Sequence, residues 1–145
     1  MPVKPVPGGF HTVTPYLLVE GADTLIEFIE KAFDAKNIEK HTLPDGSIMH
    51  AQVTIGDSII MLSEARGEFK AMPAMLHLYV TDVDATHKQA IQAGGTSLRE
   101  PADQFYGDRS GGVLDPCGNQ WWIATHVEDV SPEEMARRQA ELART

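Results

Sequence analysis

His50 and His77 carry the first chemical possibility in this sequence, because each lies in an alternating stretch with polar or aromatic side chains in phase. His50 alternates with Gln52, and His77 with Met75 and Tyr79. Imidazole titrates near neutral pH, so either ring could serve as a general acid or base. With Glu64 close by in the chain, the pair could also hold a divalent metal. The plainer expectation is that each histidine bonds a neighbour and shapes a pocket wall. Tyr79 and Trp122 offer flat surfaces for a planar or cationic ligand. Arg109, after Tyr106-Gly107-Asp108, could clamp a carboxylate or phosphonate, although an arginine so placed more often pairs with a local carboxylate, here Asp108 or Asp115. Cys117 sits in a turn with no histidine fixed beside it, which disfavours a nucleophile. No Ser-His-Asp order, phosphate-binding glycine loop or Cys-x-x-Cys occurs, and His11, His41, His87 and His126 receive no role.

These residues need elements to hold them. Thr12–Val19 is rich in β-formers, with Pro15 marking an edge or bulge. A helix opens at Asp23, its apolar residues Leu25, Ile26, Phe28, Ile29, Ala32 and Phe33 recurring at three and four. Strands follow over 38–43, 48–55 and 58–63, divided by Pro44-Asp45-Gly46 and Gly56-Asp57. The charged stretch 64–73 reads as a linker, after which the order recurs: strand 75–80, helix 83–93 ended by Gly94-Gly95, and strands 96–99, 109–114 and 120–125. Displacing the first half by 61 positions lays Val19 on Val80, Asp23 on Asp84 and Met61 on Trp122. The expectation is an α+β fold of two βαβββ modules, about 12–65 and 74–128, in one domain over 12–128. An irregular arm precedes it over 1–11. A helix over 131–145 follows, with Ser131 as N-cap, Pro132 in the first turn and Glu134 completing a capping box.

Alternation separates two faces on the strands. One holds Val13, Leu17 and Val19, then Ala51, Val53, Ile60 and Leu62, then Leu76 and Leu78, and suits a helix. The other holds Tyr16, His50, Gln52, Met61, Met75, His77, Tyr79 and Trp122. If both halves curve alike, that mixed face lines a cup of the kind that takes a small organic ligand.

Twelve basic against 21 acidic residues give a formal charge of −9, which opposes nucleic acid and anionic membrane as partners. No apolar run approaches the ~20 residues of a membrane helix, the N-terminus lacks a signal-peptide core, and one cysteine makes no internal disulfide. A cytoplasmic protein is the expectation.

Thr14-Pro15-Tyr16-Leu17, Ile48-Met49-His50-Ala51, Ile55-Gly56-Asp57-Ser58 through Ser63, Tyr106-Gly107-Asp108-Arg109 and Asp115-Pro116-Cys117-Gly118-Asn119-Gln120-Trp121-Trp122 together resemble the vicinal oxygen chelate superfamily, the glyoxalase/bleomycin resistance/dioxygenase proteins, and most of all their PhnB-like branch. The resemblance implies paired βαβββ modules forming an open, eight-stranded barrel-like sheet around a cavity, often in a homodimer. Metal-dependent members place His, Gln or Glu where this chain has Thr14, Met61, Met75 and Trp122. Indole and thioether are poor donors for an oxygen-activating divalent ion, so no metal is expected at the usual site. The reading is a metal-independent protein that binds or sequesters a small molecule, with Tyr16, Gln52, Met61, Met75, Tyr79, Arg109 and Trp122 as ligand contacts. The alternative is a glyoxalase-type lyase, isomerase or dioxygenase using His50 and His77 with a relocated divalent metal.

Overall fold

The computed structural model describes residues 2–144. The order is β1 (Tyr16–Val19), α1 (Ala22–Phe33), β2 (Lys36–Thr42), β3 (Ile48–Ile55), β4 (Ser58–Glu64), β5 (Met75–Tyr79), α2 (Val83–Gln92), β6 (Thr96–Asp103), β7 (Asp108–Leu114), β8 (Gln120–His126) and α3 (Pro132–Leu142). This is the expected pair of βαβββ modules. β1 is shorter than its sequence suggested. Pro15 has no N–H to donate, so it stays outside the strand and contributes only its carbonyl, which accepts the Met61 N–H at 3.0 Å.

The eight strands form two four-stranded sheets, ordered β1-β4-β3-β2 and β5-β8-β7-β6, and are not closed into a barrel. In each sheet the first strand runs parallel to the last and the other neighbours are antiparallel. The repeat is expressed in the register: Tyr16 lies opposite Met61 and His77 opposite Trp122, residues related by the same displacement that aligns the halves. Helix capping repeats as well. Gly21 opens α1 in a left-handed conformation with no side-chain cap of its own. Glu64, at the end of β4, accepts from the Gly21 and Ala22 N–H groups at 2.9 Å each. Thr125 stands at the equivalent place, accepting from the Val83 N–H and donating to the Val80 carbonyl, both at 2.9 Å.

The aliphatic faces pack as expected. Leu17, Val19, Ala51, Val53, Ile60 and Leu62 are buried with Leu25, Phe28 and Ile29 of α1. Val113, Trp121 and Ile123 are buried with Val83 and Ala90 of α2. α1 and α2 also pack on each other, and the Phe33 and Trp121 rings lie 4.9 Å apart, so both modules share one core. Each sheet therefore turns its second face away from this helical layer. α3 buries none of its side chains and is tied down through Arg138, which donates to Glu128 and to the Phe105 carbonyl.

Candidate functional site

β1 and β5 are edge strands, and between them opens a crevice of about 1160 Å³. Its wall combines Tyr16, Met75, His77 and Tyr79 with the aliphatic Leu76 and Leu78 and the ring of Phe33. Asp34, Asp57 and Asp82 add carboxylates, and among the described residues no lysine or arginine lines it. Met75 and Tyr79 are exposed, an unusual setting for such side chains and one that follows from β5 having no strand on its outer edge.

Within the chain the two modules pack through α1 and α2, and the space between them is this crevice along the strand edges. It brings together Tyr16, Met75, His77 and Tyr79, and leaves out His50, Gln52, Met61, Arg109 and Trp122. His50, Gln52 and Met61 lie on the first sheet, where Gln52 pairs with Met61 and Met61 with Tyr16. The Tyr16 hydroxyl reaches His50 Nδ1 at 3.2 Å, and His41 stands opposite His50 on β2. His77 is on the other sheet, its ring edge-on to Tyr79 at 5.0 Å. Among the described residues no contact joins the two candidate histidines.

Trp122 lies over Gly112, the residue paired with it on β7, so that a Cβ there would fall 2.7 Å from the indole. Arg99 then stacks on the ring with its guanidinium carbon 5.1 Å from the centroid, and the indole N–H donates to Gln120 at 3.0 Å. The stacking surface expected for a ligand is taken by Arg99. Arg109 alternates with Asp108 onto the opposite face of β7 and turns to α2. There it holds Asp84 through two bonds of 2.8 and 3.0 Å and Asp103 at 3.3 Å, not the expected Asp108 or Asp115. Asp84, then Asp103, raises the Arg109 pKa further, and the guanidinium in turn holds the Asp84 carboxyl below its ordinary value.

Four groups given no catalytic or ligand-binding role in the sequence acquire partners in space. Asp108, 3% exposed, accepts the Tyr79 hydroxyl at 2.8 Å and meets His126 Nδ1 at 2.8 Å. His126 Nε2 meets Asp129 at 2.7 Å. The hydrogen bond to Asp108 holds the Tyr79 phenol above its ordinary pKa. The same carboxylate, then Asp129, raises the pKa of His126. His87, buried on α2, directs Nε2 at the Arg99 carbonyl at 3.1 Å, a structural setting that fixes the proton on that nitrogen. Cys117 lies against the Gly21 carbonyl at 3.4 Å, and burial pushes its thiol up to about 11, which leaves it a poor nucleophile.

The four positions corresponding to the usual metal ligands supply a hydroxyl, two thioethers and an indole. Thr14 directs its hydroxyl to the His11 carbonyl at 3.4 Å, and the indole N–H of Trp122 is already given to Gln120. This set does not fit an oxygen-activating divalent ion. Among the described residues no group of three or more His, Cys, Asp or Glu side chains is placed to hold a metal.

Comparison with known proteins is consistent with this architecture. Residues 9–123 match the model of the Glyoxalase/Bleomycin resistance protein/Dioxygenase superfamily. An uncharacterized protein of Mycobacterium bovis is 36% identical over 134 residues, covering 85% of this chain and 88% of that one. Among solved structures, TioX from Micromonospora sp. ML1 superposes with a TM-score of 0.69 at 20% identity, over 81% of this chain and 99% of that one. The PhnB protein of Bacillus cereus, described as a putative 3-demethylubiquinone-9 3-methyltransferase, gives 0.59 at 19% identity, over 79% and 99%. The fosfomycin resistance protein FosX of Mesorhizobium loti gives 0.60 at 14% identity, over 87% and 97%. At these identities the structures share the fold. Among the described residues no helix is long and apolar enough to cross a membrane.

Proposed function

We propose, for a chain that belongs to the Glyoxalase/Bleomycin resistance protein/Dioxygenase superfamily, that it binds and sequesters a small organic molecule in the crevice between its two modules, without the metal of its catalytic relatives. The observation that carries this reading is the crevice itself. Its volume of about 1160 Å³ suits a drug-sized ligand, its largely aliphatic wall carries the rings of Tyr16, Phe33, His77 and Tyr79 and the thioether of Met75, and the charged groups among its described lining residues are the carboxylates of Asp34, Asp57 and Asp82. Such a wall favours an aromatic body with a cationic or proton-donating head, and the net charge of −9 draws cations toward it. A homodimer is part of the proposal, because the unpaired edges of β1 and β5 flank the crevice and a second copy set across its mouth would enclose the ligand.

The test is metal analysis of protein purified without chelator, combined with a thermal-shift screen of cationic aromatic compounds. Stabilisation by such compounds in metal-free protein is the expected result. One bound equivalent of nickel, zinc, manganese or iron, lost in a His50→Ala, His77→Ala double variant, would replace this reading with an enzyme working through a relocated metal. Sedimentation at about 16 kDa in the micromolar range would remove the dimer.

A further inference from the structure

We propose that His126 is a proton-operated latch: with both ring nitrogens protonated it ties Asp129 to the end of β7, and on losing one proton it lets Asp129 go and frays the start of α3. None of His126, Asp108 and Asp129 lines the crevice, so the inference does not depend on the crevice being a site. His126 closes β8 and is paired with Asp108, the first residue of β7. Its Nδ1 lies 2.8 Å from Asp108 Oδ1, and its Nε2 lies 2.7 Å from Asp129 Oδ1. A carboxylate only accepts, and a neutral imidazole has a single N–H. One ring therefore bonds both carboxylates only as the imidazolium. The arrangement holds in one charge state of the ring and not in the other.

The surroundings decide which bond survives. Asp108 is buried and its other oxygen accepts the Tyr79 hydroxyl at 2.8 Å, so water cannot take the place of the imidazole there. The Asp129 side chain is fully exposed and has no second partner among the described residues, so hydration offsets its loss. The one proton of the neutral ring accordingly stays on Nδ1, and Nε2 turns a lone pair toward Asp129. The ring is half-exposed and exchanges protons freely with solvent. Few charged groups face it: Asp108 from β7, Asp129 from the segment after β8, and Tyr79 from β5 behind Asp108, with Tyr106 near that phenol. The arginines of α3 are taken, Arg138 by Glu128 and Glu134 and Arg137 by Glu134 and Glu141. Asp108, then Asp129, raises the His126 pKa, so the latch is closed below pH 6.5 and opens as pH rises through the higher folded value. α3 feels the change because it buries none of its side chains and its N-cap, Ser131, follows Asp129 by two residues. The bonds of the Val127 and Glu128 N–H groups to the Gly107 carbonyl, at 2.9 and 3.1 Å, do not involve the imidazole. Opening is thus confined to Asp129 onward.

The test is an NMR titration of the full chain between about pH 5 and 9, reading the His126 ring nitrogens and the Cα shifts of Glu133, Glu134 and Met135 in the first turn of α3. At the acid end both ring nitrogens should carry protons. At the alkaline end the proton should remain on Nδ1, the nitrogen facing Asp108. The ratio of helical to frayed first turn should fall about threefold with the same midpoint as the ring, the worth of one exposed ion pair. Asp129→Asn removes the outer anion at a fully exposed position, so the fold is not at risk. It should move the ring's midpoint downward and abolish the pH step in α3, which a merely structural Asp129 would not do. A neutral ring with its proton on Nε2 overturns the inference. So does an α3 signal that does not follow the His126 midpoint, or an Asp129→Asn variant that keeps both the midpoint and the step.

Discussion

Replacing Asp115 by alanine should cost about 4 kcal/mol, because that carboxylate serves four donors in the turn between β7 and β8. It accepts from the backbone N–H of Cys117 at 2.8 Å and of Asn119 at 3.0 Å, from Asn119 Nδ2 at 3.0 Å and from the Trp121 indole at 2.8 Å. Asp115 is 3% exposed, while Asn119 and Trp121 are fully buried, so water cannot take its place at those two residues. The Cys117 N–H is only partly buried and can rehydrate. Three donors then remain orphaned, the Asn119 N–H, its Nδ2–H and the indole N–H, at roughly 1.3 kcal/mol each. Asn119 also uses its side-chain oxygen to accept the Ala74 N–H at 2.9 Å, so loosening this turn disturbs the start of β5. Urea unfolding measures the loss: with a slope of about 2 kcal/mol per molar, the midpoint should fall by roughly 2 M. A Trp121→Phe background sharpens the test. Without the indole N–H one orphan disappears, so the double variant should lose about 1–2 kcal/mol less than the two single losses together. A loss below about 1 kcal/mol for Asp115→Ala, or strict additivity with Trp121→Phe, would refute the idea that unsatisfied donors set the cost.

The remaining predictions concern charge and close packing. His126 has a pKa raised above 6.5 by Asp108 and then Asp129, so its contribution to stability is fully present below pH 6.5 and is lost as pH rises through its higher folded value. His126→Ala should therefore lower the unfolding temperature at pH 6 and converge on the parent by pH 9; a gap that does not close would remove the ion pairs from the account. Gly95→Ala should cost about 3 kcal/mol, a fall of roughly 6–12 °C in Tm, because the new Cβ would sit 2.4 Å from Val113 Cγ1 and 2.9 Å from the Ala90 carbonyl oxygen. Scanning calorimetry checks it, and an unchanged Tm would mean that α2 can lift from β7 at no cost.

How much of this was readable from residue types follows the range of the interaction involved. Strand and helix positions were legible because they rest on alternation and on near neighbours in sequence: β3 spans Ile48–Ile55 as expected, and α2 and α3 begin where Val83 and Ser131 place them. The repeat was legible because β1–β4 and β5–β8 preserve one displacement. The expected single cup was not legible as two separate sheets, since no local pattern tells whether two modules meet edge to edge or through their helices. Phe33 against Trp121 decides that, and those residues are far apart in the chain. Arg109 was assigned to the wrong carboxylates for a related reason. Sequence proximity favoured Asp108, but adjacent residues on a strand point to opposite faces, and the partner came from the first turn of α2. The Tyr79–Asp108–His126 network did leave a signal. Counting outward from the Leu114–Gln120 pair at the hairpin brings Asp108 opposite His126.

The two modules show why open volume lies at the strand edges and not on the outer faces of the sheets. Equivalent rows cross each sheet: Tyr16, Met61, Gln52 and Glu39 in the first, His77, Trp122, Gly112 and Arg99 in the second. In the second, glycine at position 112 vacates the space that Trp122 fills, and Arg99 closes over the ring. In the first, Tyr16 leans to His50 and not outward. Both outer faces are thus partly filled by their own side chains. β1 and β5 each have no neighbouring strand on one side, and the gap beside those edges is bounded by the ends of α1 and α2. A cavity opens there because the repeat supplies two free edges and the shared helical core brings them to the same end of the molecule. The two edges do not furnish the same side chains: Tyr16 stands where the second module has His77, and Leu18 where it has Tyr79.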